Sequence, residues 1–85
     1  MDPYKIVKYP LSTEKSIRLM ESQNQLIFVV DIDADKKMIK KAIEEMFKAK
    51  VDNVRTYVQG GKKRAYVKFS DESPAIDIAT QLGLM

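Results

Sequence analysis

Short apolar runs separated by polar punctuation divide this chain into seven elements. Tyr4–Val7 reads as a brief strand, ended by Tyr9-Pro10. Pro10 disfavours helix at Tyr9, so a helix starts after it, capped by Ser12 or Thr13 and running to Glu21. Ile17 and Met20 are predicted to face inward on that helix, with Lys15 and Arg18 on a more exposed side. Gln25–Asp31 is the next strand. Leu26, Phe28 and Val30 line one of its faces, and Ile27 and Val29 line the other. A strand apolar on both faces belongs in a sheet interior, covered from two sides.

Asp35 is placed to cap a helix over Lys36–Ala49, where Ile39, Ala42, Ile43, Met46 and Phe47 keep the 3.6-residue period. Val51–Gln59 and Lys62–Phe69 then form a hairpin turning at Gly60-Gly61, two residues that supply the positive φ of tight turns. Val54, Thr56 and Val58 share a face with Ala65, Val67 and Phe69. The opposite face gathers Arg55, Tyr57, Arg64, Tyr66 and Lys68. Ser73-Pro74 opens a last helix over Pro74–Leu82, with Ile76, Ala79 and Leu82 as its apolar stripe, flanked by Ala75 and Ile78, and Gly83 as its stop. The expectation is an α+β fold: a four-stranded, mainly antiparallel sheet with helices on both faces, in the order β-α-β-α-β-β-α, as one domain over residues 1–85.

The charges are spread unevenly along the chain. Residues 36–68 hold 11 of the 15 Lys and Arg residues against Glu44, Glu45 and Asp52, a local +8 inside an overall +3. Residues 22–35 and 69–85 each carry −3. Such polarisation suits a polyanion, because phosphate neutralisation and counterion release grow with clustered cations. The 85 residues contain no Cys and no His, which removes disulfides, thiolate metal sites and the commonest general base. Met1–Pro10 does not resemble a signal peptide, and Leu26–Val30 is far too short to span a membrane, so a soluble intracellular domain is expected.

Catalytic and metal chemistry find little support. Asp31-Ile32-Asp33-Ala34-Asp35 resembles a calcium loop at first, but Lys36 and Ala42 stand where that loop needs Gly and Glu. A strand end, a turn and a helix cap explain the acids better. Adjacent Glu44 and Glu45 point about 100° apart on a helix and pair more naturally with Lys40, Lys41 or Lys48. Gly60-Gly61-Lys62 lacks the spacing of a phosphate loop, and the serines have no histidine to activate them. No enzyme, metal, cofactor or small-molecule substrate is expected. The Arg55, Tyr57, Arg64 and Tyr66 surface suits phosphates, sugars or stacked bases. The pattern leaves two outcomes for its tyrosines: burial under helices or exposure toward a ligand.

Four segments resemble a known family. Pro10-Leu11-Ser12-Thr13-Glu14-Lys15 is similar to a proline, small-hydroxyl, Glu-Lys opening of a first helix. Ile39–Phe47 resembles an Ile-Lys-x-Ala-Val-Glu-x-x-Phe helix. Val51–Thr56 resembles the strand that follows, and Lys63–Phe69 a Lys-Lys-Ala-Tyr-Val strand. In this order they resemble the large-subunit ribosomal protein family called L twenty-three, found at the exit of the nascent-chain tunnel. Many members have Asn where this chain has Arg55. The bacterial type has a long hairpin loop, whereas the turn here is Gln59-Gly60-Gly61, which looks like the archaeal or eukaryotic type; the short N-terminus lacks the basic extension of eukaryotic members, so the resemblance implies the archaeal type.

The resemblance implies a non-catalytic constituent of the large subunit, in the cytoplasm, that binds large-subunit ribosomal RNA as a monomer beside other ribosomal proteins. Lys5, Lys8, Lys15, Lys36, Lys40, Arg55, Lys62, Lys63, Arg64 and Lys68 are the candidate RNA contacts, neutralising phosphates without reading bases. In bacterial members a first-helix glutamate contacts a ribosome-bound chaperone, and Glu14 is its match. Glu14 and Glu21 are thus the candidate docking residues, with the signal recognition particle or the protein-conducting channel as partner. The residues alone also fit a free-standing module for an acidic partner or a non-ribosomal RNA-binding domain.

Overall fold

A computed structural model describes residues 3–83. The elements are α1 (Pro3–Ile6), β1 (Val7–Pro10), α2 (Glu14–Gln23), β2 (Gln25–Val30), α3 (Lys36–Phe47), β3 (Val51–Gln59), β4 (Lys62–Phe69) and α4 (Ala75–Gln81). The strands form one antiparallel sheet in the order β1-β2-β4-β3. After the single turn of α1, the order is the expected β-α-β-α-β-β-α.

The first strand is shifted from its expected place. Residues 3–6 form a helical turn, and the strand is Val7–Pro10, not Tyr4–Val7. Four residues are too few for periodicity to separate strand from helical turn. Packing decides it here, because α1 lies against α3 and buries Ile6. Pro10 sits inside the strand without penalty, since β1 is a sheet edge and a missing N–H breaks no interior ladder.

β2 is central, between β1 and β4, and Leu26 to Val30 are all buried. The cross-strand register sorts the sheet into two faces. Leu26, Phe28 and Val30 share one with Ala65, Val67 and Val54. α3 covers that face, with the Phe47 ring 6.1 Å from that of Phe28. Ile39, Ala42 and Ile43 of α3 are fully buried there, the two isoleucines each contributing about 1.5–3 kcal/mol of transfer free energy and the Ala42 methyl less than about 1 kcal/mol. Ile27 and Val29 belong to the opposite face, along which α2 runs.

Two helix faces are rotated from expectation. On α2, Ile17 is exposed and Ser16 is buried beside Met20. Ser16 tolerates burial because Thr13 N–H donates to its hydroxyl at 2.9 Å and that hydroxyl donates to the Thr13 carbonyl at 2.8 Å, while Thr13 caps the helix from the Ser16 N–H. On α4, Ala75, Ile78 and Ala79 are buried and Ile76 is exposed, because the helix turns the side carrying those three toward β2 and α2. α3 stops at Phe47, two residues short of the expected end, with Lys48 left-handed at φ 54°.

Ser73 does not cap α4; its hydroxyl accepts from the Lys50 N–H instead. The cap comes from Asn24, whose Oδ1 accepts from the Ala75 N–H at 2.6 Å. The Asn24 Nδ2 donates to the carbonyls of Phe69 at 3.0 Å and Ser70 at 3.1 Å. Asn24 also ends α2 in the left-handed conformation, φ 56°. One side chain therefore joins the end of α2, the end of β4 and the start of α4.

Asn24→Ala is expected to destabilise the domain by about 2–3 kcal/mol, from three lost hydrogen bonds at about 1 kcal/mol each. Asn24→Gly, which keeps the left-handed backbone accessible, should cost less than Ala. Urea denaturation of the two variants checks both the size and the order.

Candidate nucleic-acid interface

The face carrying Ile27 and Val29 is covered only in part. α2 has ten residues and shields the β2 portion, whereas Arg55, Tyr57, Lys62, Arg64 and Lys68 on β3 and β4 remain exposed. The reason lies in the strands themselves. β2 is apolar on both faces, while β3 and β4 are apolar on the α3 side alone. A second helix over that half would bury charge without partners, a cost of several kcal/mol per ion.

On this open half the residues alternate in kind. Tyr57 stands opposite Arg64 across the ladder, and Arg55 stands opposite Tyr66. The tyrosines thus occupy one diagonal and the arginines the other. The tyrosine rings meet edge to face, with centroids 5.2 Å apart and planes at 80°, a favourable quadrupole arrangement. Lys15 of α2 holds its ammonium 5.4 Å from the Tyr66 centroid, within cation–π range. Together Lys15, Tyr57, Val58, Gln59, Arg64 and Tyr66 line an open groove of about 390 Å³. Tyr57 is 54% exposed and Tyr66 half-buried, so neither ring is enclosed by helices.

Among the described residues, the ion pairs are Glu14 with Arg18 at 2.7 Å and Lys50 with Glu72 at 3.0 Å. Arg55, Lys62, Arg64 and Lys68 join neither. Their charges face solvent uncompensated by a bonded carboxylate. The expected pairing of Glu44 with a neighbouring lysine does not occur at this range; its carboxylate accepts from the Val51 N–H at 3.3 Å, tying α3 to β3.

The ten candidate cations do not form one surface. Lys15, Arg55, Lys62, Arg64 and Lys68 share the open face. Lys36 and Lys40 are exposed on α3, which covers the other face. Lys5 is on α1 and Lys8 on β1. Lys8, Tyr9, Ile32, Gly61, Lys62 and Lys63 border a second groove, of about 260 Å³, between the β1 edge and the hairpin tip. Lys63 points to the α3 side and is half-buried; its Nζ donates to the Ala34 carbonyl at 2.6 Å. It braces the hairpin against the loop before α3.

Sequence spacing did not single out Gln59 or the Lys15–Tyr66 contact. Lys15 and Tyr66 lie in different elements, and no local period connects them. Glu14 and Glu21 are exposed on α2, Glu14 engaged with Arg18. An exposed i,i+4 pair of this kind contributes about 0.5 kcal/mol or less. Asp31 forms a turn, accepting from the Asp33 N–H at 3.1 Å, and Asp35 caps α3 from the Met38 N–H at 2.8 Å. Among the described residues no group of three or more acidic side chains is arranged to hold a metal, and no helix is long and apolar enough to cross a membrane.

Fold and surface together define a small α+β domain with a cation-and-aromatic sheet face. Residues 5–80 match the family described as Ribosomal protein L23. The chain belongs to that family, whose members are structural proteins of the large ribosomal subunit.

Lys63→Ala is expected to lower stability by about 1 kcal/mol through loss of a charge-assisted hydrogen bond. Lys62→Ala, one residue away and free of such a bond, should change it by less than about 0.5 kcal/mol. Equal effects in thermal denaturation would remove the bracing role of Lys63.

Proposed function

We propose that this protein binds large-subunit ribosomal RNA near the exit of the nascent-chain tunnel, with the open face of β3 and β4 as its principal contact. The observation that carries this reading is the uncompensated set Lys15, Arg55, Lys62, Arg64 and Lys68 around two accessible tyrosines. Clustered cations on a rigid sheet neutralise phosphates at little conformational cost, and the released counterions supply affinity. Lys8 at the hairpin-side groove and Lys36 and Lys40 on α3 serve other RNA segments, so the protein clamps neighbouring strands from two sides. Lys5 adds to the same field. Lys63 contributes chiefly by holding the hairpin rigid.

The tight Gly60-Gly61 turn, with φ of 59° and 75°, favours the archaeal type over one whose hairpin reaches into the tunnel. In that setting the protein works in the cytoplasm, on the ribosome, beside other large-subunit proteins. Glu14 and Glu21 lie on α2 and offer an acidic strip for the signal recognition particle or the protein-conducting channel. Arg18 tempers that strip through its pair with Glu14.

Replacing Arg55, Arg64 and Lys68 together by Gln should weaken binding to purified large-subunit rRNA and reduce the slope of log K against log salt by about 2–3 units. A photoreactive residue at Arg64 in purified ribosomes should crosslink to large-subunit rRNA; crosslinks to protein alone would favour a module for an acidic partner. Ribosomes carrying Glu14→Lys should recruit targeting factor less tightly in co-sedimentation, and unchanged recruitment would remove the docking role of Glu14.

A further inference from the structure

The RNA-binding reading assigns this face to phosphates. Its geometry fits something more specific. A phosphate groove needs cations and no exposed aromatic ring. Here a tyrosine that is 54% exposed has two arginines as neighbours, and the groove beside it is about 390 Å³, at the low end of small-molecule sites, which run from roughly 300 to 1,000 Å³. Exposed Tyr57 gains nothing from the core. Its partner Tyr66 is fixed on one side by Lys15 and on another by Tyr57 itself, so the walls are set before any ligand arrives.

We propose, resting on the rRNA-binding reading, that this groove accepts one unpaired nucleobase of the RNA. The base stacks on the Tyr57 ring, and Arg55 and Arg64 hold the phosphates on either side of it. The ladder supports this division of labour. Arg64, which lines the groove, is directly across from Tyr57, and Arg55 is two residues before it on the same face just outside the groove, so one cation neighbours the ring across the ladder and a second along the strand. Gln59, two residues after Tyr57, brings an amide able to donate and accept at a base edge.

A paired base inside an A-form helix cannot present its face to a protein ring, because both faces are occupied by stacking. The occupant is therefore a bulge, a loop nucleotide or a strand end. β3 is a sheet edge, which leaves a side from which an RNA backbone can approach. Stacking tolerates any base, so the site selects an unpaired nucleotide rather than a sequence.

The test is binding of the full chain to purified large-subunit rRNA over a salt series, comparing Tyr57→Ala, Tyr57→Phe and Arg64→Gln, with circular dichroism to confirm folding. Tyr57→Ala should weaken binding roughly 5- to 150-fold without changing the salt slope. Tyr57→Phe should bind within about twofold of the native protein, since the ring and not the hydroxyl makes the stack. Arg64→Gln should reduce the slope by about one unit. The stacking site is overturned if Tyr57→Ala binds as well as the native protein, or if Tyr57→Phe loses as much as Ala. Failure of the underlying reading looks different: the native protein would then bind large-subunit rRNA no better than an unrelated RNA of equal length.

Discussion

The burial of β2 on both faces is the constraint on which the rest of this small protein depends. A strand with Leu26, Phe28 and Val30 on one side and Ile27 and Val29 on the other needs a cover on each. α3 supplies one, on the side where Val54, Ala65 and Val67 of β3 and β4 are also buried, leaving Val58 near the hairpin tip exposed. α2 supplies the other and is too short and too polar to reach past β4. The sheet is therefore three layers thick at β2 and two layers thick at the hairpin. The exposed face of β3 and β4 is a direct product of this uneven cover.

That geometry links stability to function. The residues that hold the hairpin in place, Val54, Ala65, Val67 and Phe69, are buried against the α3 side. Every second residue on the same strands is then free to be charged or aromatic. A two-residue strand period delivers rigidity and contact chemistry from the same segment without conflict. Lys63 on the buried side braces the strand, while Lys62 and Arg64 on the other face outward. Adjacent lysines and arginines with one chemical character thus hold different jobs.

Asn24 makes the layers one unit. A left-handed residue was needed to turn the chain from α2 into β2, and Asn tolerates that conformation better than most. Gly would serve the turn equally. The amide adds what Gly cannot: an acceptor for the start of α4 and a donor for the end of β4. α4, short and without a local side-chain cap, is docked by a residue 51 positions earlier.

Much of this was legible in the chain. The alternation along Val51–Phe69 fixes the hairpin and the sides of its residues, because a strand's period is two and a register slip would bury arginine. The 3.6-residue stripe over Ile39–Phe47 fixes α3, and the four motif segments in order point to the family. Short and amphipathic-poor segments were not legible. Residues 3–6 became a helical turn through contact with α3, and the inward faces of α2 and α4 rotated to bury Ser16 and Ala75 where local apolar spacing pointed to Ile17 and Ile76. The candidate site divided in the same way. Its residue types and their common face follow from sequence, because alternation is local. Whether Tyr57 is open, that Lys15 packs on Tyr66, and that Lys63 finds the Ala34 carbonyl were decided by tertiary structure, because each depends on which elements from elsewhere in the chain come to lie against the hairpin.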